Sequence, residues 1–376
     1  MGLPFVFWDA FGFPKGPSGI LKYAEKLLES INSNGIYPTL LTKRNSFFKE
    51  STITIEKTQI LKNLALRTKW GWSYLAYKQL LEELLNLRDG MQRGEAAIFH
   101  GLANTNLPLF DKNSNNFKYV LTVHDLIPIL PHAQVSKASA IRFKLQLPKA
   151  VKKADRIICV SNWTYSHLVQ RFPCCEAKTS VIPHGLGIRR QLSIRQDQLS
   201  PKVQLLFVSR WEVYKRFQVI LDLLQRLPKN YCFIVVTDKK GRRFLELNGA
   251  SFVCEKRLVI KSDLTERELE RLYCFSDLYV HPSRYEGYGL PAVEALKNGT
   301  PIVYCKGHAL DELIPKGCGF SLDAEDSIDD WVDVVKGNAA LKKNSQFIEE
   351  RNSFLSNSLS WNQAALATKR VYNTLI

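Results

Sequence analysis

The sequence contains no run of about 18 apolar residues, so nothing in it predicts a membrane-spanning helix. Its first residues, Met1-Gly2-Leu3-Pro4-Phe5-Val6-Phe7-Trp8-Asp9, have neither the basic start nor the small-residue cleavage site of a secretory leader, and they read as a first strand. Val6 stands where an N-myristoylation signal wants Ser or Thr. No Cys-x-x-Cys pair occurs among the eight cysteines. Cys159, Cys232, Cys274 and Cys305 lie in apolar runs, where thiols behave as small hydrophobes, and the vicinal Cys174-Cys175 reads as incidental. Neither a disulfide framework nor a zinc site is expected, and a reducing compartment is implied. The Asn-x-Ser/Thr matches at Asn162 and Asn298 then have no obvious use. No strand pattern is followed by Gly-x-Gly-x-x-Gly, which argues against a dinucleotide dehydrogenase. Zinc-finger, RNA-recognition and helix-turn-helix signatures are absent, as are internal repeats and low-complexity tracts. Asp329-Asp330 has no nearby His or Cys partner, so no metal site is expected.

What is present is an ordinary globular composition of 45% apolar and 23% charged residues over 376 positions, enough for two domains. The net charge of +16 is large. Such an excess draws a protein to phosphorylated substrates, anionic lipid or nucleic acid, and charge alone does not choose among them. One basic stretch comprises Lys137, Arg142, Lys144, Lys149, Lys152, Lys153 and Arg156. Another interleaves Lys57, Lys62, Arg67, Lys69 and Lys78 with Trp70, Trp72, Tyr74 and Tyr77, a composition suited either to lipid headgroups or to a solvated helix with core aromatics. Nucleic acid is not expected as a partner, because the basic residues are dispersed and no recognition motif accompanies them.

Short apolar runs alternate with helical patterns, which predicts an α/β fold with mostly parallel sheets. In the first half, strands are expected at Pro4–Trp8, Pro38–Thr42, Ala96–His100, Tyr119–His124, Arg156–Val160 and Thr179–Ile182. Helices are expected at Ile20–Asn32, from about Thr58 to Leu87, at Ala138–Ala154 and at Asn162–Phe172. Gly187 to Pro201 is polar and aperiodic, the best linker candidate. The alternation then restarts, with strands expected at Gln204–Ser209, Tyr231–Thr237, Leu258–Lys261, Asp277–His281 and Pro301–Tyr304. Helices are expected at Lys215–Leu227 and Thr265–Cys274, the second opening on a Thr265/Glu268 capping box. Two restarts predict two facing Rossmann-like domains with ligands in the cleft at the strand ends. The expected division is 1–186, a linker at 187–201, 202–358, and a C-terminal helix within 359–376 packing back on the first domain.

Residues 283–301 carry the most chemistry. Glu286 and Glu294 stand eight positions apart, with Gly287, Tyr288, Gly289, Leu290 and Pro291 between them marking a turn and a helix start. Pro291 suits the first helical position, and the amides from Gly287 to Leu290 would open the helix towards an anion. A carboxylate nearby can accept both hydroxyls of a vicinal diol. Phosphate plus diol describes a nucleotide, and the second carboxylate suggests a sugar. With the preceding Tyr-Val-His-Pro-Ser and the following Gly-Thr-Pro-Ile-Val, the segment resembles the E-x7-E signature of the retaining glycosyltransferases of family 4, whose fold is called GT-B.

The resemblance spans roughly the whole chain. Phe207-Val208-Ser209-Arg210-Trp211-Glu212-Val213-Tyr214-Lys215 looks like the family's strand–turn–helix, implying that Arg210 and Lys215 bracket the donor diphosphate. Val123-His124-Asp125-Leu126-Ile127-Pro128 is similar to the family's His-Asp turn, which implies that His124 meets the donor sugar and Asp125 holds the loop. His100, His132, His167 and His308 read as structural. Gly16-Pro17-Ser18-Gly19 resembles the glycine loop that approaches phosphate or acceptor, with Gly16 and Gly19 separated where the family often has adjacent glycines. Asp155–Asn162 and Val181–Gly185 also match. His184 stands where Asn is more usual, which would face it to the cleft near the hinge.

By this resemblance Glu294 would bind the ribose, and Glu286 the donor sugar with the amides of Gly287, Tyr288, Gly289 and Leu290. The implied enzyme is a metal-independent retaining hexosyltransferase. It needs no cofactor, since the nucleotide sugar is its co-substrate. The details most resemble bacterial mannosyl- and rhamnosyltransferases of surface polysaccharide, which implies GDP-mannose as donor. A glycan or lipid-linked glycan is implied as acceptor, with action in the cytoplasm, peripherally at an anionic membrane face. A non-catalytic nucleotide-sugar or glycan-binding protein on the same fold is the alternative, against which intact Glu286, Glu294, Arg210 and Lys215 count.

Overall fold

In a computed structural model of the chain, the residues described are 5–9, 18–41, 60–61, 67–68, 71–72, 97–107, 117–187 and 202–376. They fall into two compact units. One comprises Met1–Ile129, Ser136–Gly185 and Leu359–Ile376, and the other Leu130–Val135 and Leu186–Ser358.

The first unit is built on strands β1 (Phe5–Asp9), β2 (Thr39–Leu41), β3 (Ile60–Leu61), β6 (Ala97–Gly101), β7 (Phe117–Val123), β8 (Arg156–Cys159) and β9 (Thr179–Val181). Two two-residue strands, β4 (Arg67–Thr68) and β5 (Gly71–Trp72), pair antiparallel by themselves. The main sheet is parallel throughout, in the order β3-β2-β1-β6-β7-β8-β9. Its apolar strands are covered by helices α1 (Gly19–Ser33), α2 (Lys137–Lys153) and α3 (Asn162–Arg171). Ser18 caps α1, its hydroxyl accepting from the Leu21 amide at 3.1 Å. Tyr23, Ala24, Leu27, Leu28 and Ile31 form the buried stripe that helical periodicity places on one face. The helix expected from about Thr58 to Leu87 is contradicted at β3, β4 and β5, where the backbone is extended, and otherwise lies outside the described residues.

The second unit carries β10 (Val203–Val208), β11 (Tyr231–Val236), β12 (Leu258–Lys261), β13 (Leu278–His281), β14 (Ile302–Cys305) and β15 (Gly319–Leu322). All pairs are parallel, in the order β12-β11-β10-β13-β14-β15. The chain winds outward from β10 in one direction and then returns to its other side. Neighbouring crossovers therefore diverge between β10 and β13, leaving a crevice at their carboxyl ends. The helices are α4 (Phe217–Arg226), α5 (Lys239–Asn248), α6 (Ala250–Cys254), α7 (Glu266–Phe275), α8 (Leu290–Lys297), α9 (Leu310–Leu313), α10 (Ile328–Asn338) and α11 (Ser345–Asn357). The Thr265/Glu268 capping box is present on α7, as is a second box at Ser327/Asp330 on α10. Leu130–Val135 joins this unit although a contiguous first domain would contain it. There the Tyr285 hydroxyl donates to the Pro131 carbonyl at 2.6 Å, and His132 and Gln134 adopt positive φ.

The last helix, α12 (Trp361–Asn373), belongs to the first unit and packs on α1. Trp361, Ala364, Ala365, Val371 and Tyr372 enter the same core as Trp8 and Leu27. A buried polar chain holds them. The Tyr372 hydroxyl receives the Trp8 indole N–H at 3.0 Å and lies 2.7 Å from His100 Nδ1. His100 Nε2 lies 2.8 Å from the Thr122 hydroxyl. Burial, with a smaller contribution from His124, pushes His100 down to about 3, so the ring is neutral and both nitrogens are spent on these bonds. Replacing Tyr372 by Phe should leave buried donors without a partner and cost about 1–3 kcal/mol. Urea unfolding of the variant reads this; an unchanged midpoint would show that the hydroxyl holds nothing.

Candidate active site

Two loops meet at the crevice between β10 and β13. The chain leaves β10 at Val208, makes a single turn at Val213–Lys215, and enters α4 through Arg216 in the left-handed conformation, φ 53°. From the other side β13 ends at His281, and Glu286 follows five residues later in the turn before α8. The Glu286 carboxylate is buried, and one oxygen takes two bonds. Lys215 Nζ lies 2.5 Å and His281 Nε2 2.6 Å from Oε1. Burial alone would raise the carboxyl pKa, but the Lys215 ammonium, the His281 ring and their hydrogen bonds overcome it and hold Glu286 well below the usual carboxylate range. Oε2 carries no protein hydrogen bond among the described residues.

The backbone around Glu286 is pinned as well. Its carbonyl accepts from the Ala309 amide at 3.3 Å. Gly289 has φ 80°, a conformation that favours glycine, and a Cβ there would stand 2.6 Å from Leu310 Cδ2 and push that side chain aside. Leu290 is the first helical residue and Pro291 the second, one place later than the sequence suggested. No side chain caps α8 among the described residues. Pro291 has no N–H, and the Ala292 and Val293 amides donate to the Gly289 carbonyl at 2.9 and 3.2 Å, so the helix start offers an anion the Gly289 and Leu290 amides and the positive end of its dipole. Tyr288 is buried, and burial followed by the nearby Glu312 pushes its phenol up, so Tyr288 is a neutral group. Glu294 lies one turn into α8, half-buried and close enough to Tyr273 to raise that phenol's pKa after burial itself.

The remaining candidates are placed separately. Arg210 sits two residues past β10, exposed, its carbonyl accepting the Ser209 hydroxyl at 3.0 Å. Lys215, expected on a diphosphate, is paired with Glu286. In the first unit, Gly19 is the first residue of α1, whereas Gly16 lies outside the described residues. His124 follows β7 and is buried. Its amide donates to Asn104 Oδ1 at 2.6 Å and its Nε2–H to the Leu102 carbonyl at 2.9 Å. Burial pushes it down to about 4 against that carbonyl's opposing effect, so it is neutral at ordinary pH with Nδ1 as an acceptor. Asp125 holds the turn, accepting the Ile127 amide at 3.0 Å. His184 is buried between the rings of Tyr23 and Trp361, at 4.8 and 5.9 Å, where packing rather than exposure occupies it.

The chain matches two protein families in tandem: "Glycosyltransferase Family 4" over residues 17–190 and "Glycosyl transferases group 1" over residues 190–357. The chain belongs to the GT-B glycosyltransferases. It is 45% identical over 236 residues to an MMP α-(1→4)-mannosyltransferase of Mycolicibacterium hassiacum, covering 59% of this chain and 56% of that protein. It is 23% identical over 215 residues to the serotype-specific mannosyltransferase WbdA of Escherichia coli, covering 53% and 26% respectively. The chain thus spans from about a quarter to just over half the length of these two relatives. Among solved structures it is similar to Anabaena HepE in complex with UDP and glucose, with a TM-score of 0.72 and 14% identity over 99% of this chain and all of that one.

Sequence reasoning about this glycosyltransferase missed His281. It ends the expected strand Asp277–His281, and it directly bonds the carboxylate. Its spacing of five from Glu286, at a strand end before Pro-Ser, was the available signal. Tyr285, the residue before Glu286, reaches the Pro131 carbonyl.

The pairing of Glu286 has a pH signature. A carboxyl whose pKa falls on folding adds stability that is complete above its unfolded value of about 4.3 and is lost as the pH drops below it. Glu286→Gln keeps the shape and removes the charge. The stability difference between wild type and this variant should be constant from pH 7 to about 5, then narrow by about 1.4 kcal/mol per pH unit below about 4. Urea unfolding at pH 7, 5, 4 and 3 measures it. A difference unchanged at pH 3 would contradict a depressed carboxyl.

Proposed function

We propose that this glycosyltransferase moves a hexosyl unit, with retention and without a metal ion, from a nucleotide sugar to a hydroxyl of a glycan or lipid-linked glycan. The observation that carries this reading is the clamped Glu286, with Oε1 held by two donors and Oε2 left for a ligand hydroxyl, at the uncapped start of α8. So depressed a carboxyl is a weak base, since efficient proton transfer wants a pKa near the working pH. Glu286 therefore binds the donor sugar and does not remove the acceptor's proton. Glu294, one turn on, takes the ribose diol, and the Gly289 and Leu290 amides at the start of α8, with Arg210 and Lys215, take the diphosphate. Charge that builds on the leaving phosphate is met by these cations and amides. No carboxylate is assigned as a covalent nucleophile. The acceptor attacks from the face the phosphate leaves, and a phosphate oxygen takes its proton. His124, neutral and with Nδ1 available, accepts a hydroxyl of the donor sugar.

GDP-mannose is the donor we favour, supported by the two relatives named as mannosyltransferases. Polysaccharide or lipopolysaccharide assembly at the cytoplasmic membrane face is the setting we favour. Among the described residues no helix is long and apolar enough to cross a membrane. Helix α2 supports peripheral contact, because Ile141 and Leu145 are exposed beside exposed Lys144, Lys149 and Lys152. The stretch around Trp70 lies outside the described residues.

Two variants separate the carboxylates. Glu294→Ala should weaken binding of the free nucleoside diphosphate by about 1.5–3 kcal/mol, because it removes a charge-assisted hydrogen bond to the ribose. Glu286→Ala should instead lower turnover without weakening that affinity. Calorimetry with GDP and UDP, and release of nucleoside diphosphate from GDP-mannose and UDP-glucose in EDTA, measure both. Full nucleotide affinity in Glu294→Ala would end its assignment, and loss of activity in EDTA with rescue by magnesium would end metal independence.

The membrane reading is tested by co-sedimentation. Each basic residue near an anionic surface contributes about 1 kcal/mol, screened over a Debye length. The protein should pellet with anionic vesicles, scarcely with neutral ones, and less in salt. Changing Lys144, Lys149 and Lys152 to Glu should abolish pelleting while nucleotide affinity stays. Equal pelleting with both vesicle types, or with neither, would assign the charge to a soluble acceptor.

A further inference from the structure

His281 is 1% exposed, and nothing in the proposed chemistry yet uses it. Its ring stacks on Tyr279 at 5.7 Å and 24°, with Phe207 and His308 each 6.5 Å away. Nε2 faces Glu286 Oε1 at 2.6 Å, and since an ionised carboxylate only accepts, Nε2 carries the proton. Nδ1 lies 3.4 Å from the Tyr279 hydroxyl, which donates to the Val208 carbonyl at 3.2 Å. The ring is thus stacked on Tyr279, which in turn ties to the end of β10 through the Val208 carbonyl. His308 does not compete for Glu286, because its Nε2 donates to the Ser283 carbonyl at 3.1 Å and its Nδ1 accepts from the Leu310 amide at 3.3 Å.

The two holders of Glu286 are not equivalent. Lys215 reaches Oε1 on a four-carbon stem with rotatable bonds. A diphosphate arriving at α8 carries more charge than a carboxylate and draws that ammonium towards itself. His281 is buried, stacked and short, and cannot follow. We propose that His281 is the positioning residue for Glu286, keeping its carboxylate aimed at the donor sugar once the diphosphate has claimed Lys215. This rests on the reading of Glu286 as the donor-sugar contact. His281 does not touch the donor; it acts through Glu286.

The test uses two substitutions at His281 in the full chain. His281→Phe keeps a flat ring on Tyr279 and removes the donor. His281→Gln loses the ring and keeps an N–H near the place of Nε2. The readouts are release of nucleoside diphosphate from whichever of GDP-mannose and UDP-glucose the wild type turns over faster, and calorimetric affinity for the matching free nucleoside diphosphate. Misplacing a group that orients the reacting sugar costs about 10²-fold, so kcat in His281→Phe should fall by about that factor while nucleotide affinity stays at the wild-type value. His281→Gln should recover most of the loss. In the background of Glu286→Ala, adding His281→Phe should change kcat no further. Equal losses in both single variants, or weakened nucleotide affinity in His281→Phe, would show that the ring is mere packing and overturn the proposal. Full activity in His281→Phe with an inactive Glu286→Ala would do the same. Full activity in Glu286→Ala would instead overturn the reading of Glu286 on which the proposal stands.

Discussion

A buried carboxylate has to be matched by donors or it takes up a proton, and Glu286 is the place where this second unit meets that constraint. Charge removed from water costs several kcal/mol per ion even after relaxation, so the arrangement persists only with close, hydrogen-bonded partners. Lys215 and His281 provide them within 2.6 Å of a single oxygen. The strand order decides where such a meeting can happen. β10 and β13 are neighbours although 69 residues separate the end of one from the start of the other. The loops that leave their carboxyl ends diverge around one crevice. A residue seven positions past β10 and one five past β13 then converge there without either strand bending.

The same geometry explains what the sequence could and could not reveal. Strands such as Val203–Val208 and Tyr231–Val236 are short, mostly apolar runs bounded by polar turns, a pattern that suits a buried parallel strand, and their positions are legible to within a residue or two. Gly319–Leu322 was not, since Gly-Phe-Ser-Leu is too short and mixed to show a period, and it becomes a strand by pairing with β14. Helices Lys239–Asn248 and Ser345–Asn357 were passed over because their polar faces dominate, Lys239-Lys240 and Arg242-Arg243 in the first. Within the candidate site, Glu286, Glu294 and Lys215 were legible as residue types in a spaced motif. Their partnership was not. Lys215 and Glu286 are 71 positions apart, and nothing local to either says that the cation meets the carboxylate before it meets a ligand.

The histidines make a similar point in the first unit. His100, His124 and His184 are all buried, and burial pushes all three below the ordinary imidazole range. What separates them is the use of their nitrogens. His100 spends both on Tyr372 and Thr122, and it ties the last helix to the sheet. His184 is packed nearly flat against Tyr23 and Trp361, where a ring of that shape fills space. His124 spends one nitrogen on the Leu102 carbonyl, which fixes its tautomer and leaves the other ring nitrogen as an acceptor. A lone histidine in a sequence gives no hint of this division, because it depends on carbonyls and hydroxyls brought close by the fold.

On the proposed function, Lys215 serves two anions in turn, and this has an energetic consequence. Without a donor, the Lys215–Glu286 pair keeps the buried carboxylate and its half-buried partner neutralised and the loops after β10 and β13 together. A diphosphate that draws on the same ammonium does so against the carboxylate, so part of the attraction is spent on loosening an existing pair. That exchange favours a ligand presenting more than one anchor. The phosphates replace the carboxylate at Lys215, and the sugar hydroxyls replace the lysine at Glu286. A nucleoside diphosphate without its sugar supplies the first and not the second. The pair therefore discriminates between an intact nucleotide sugar and the product that remains after transfer, and it re-forms as the product leaves.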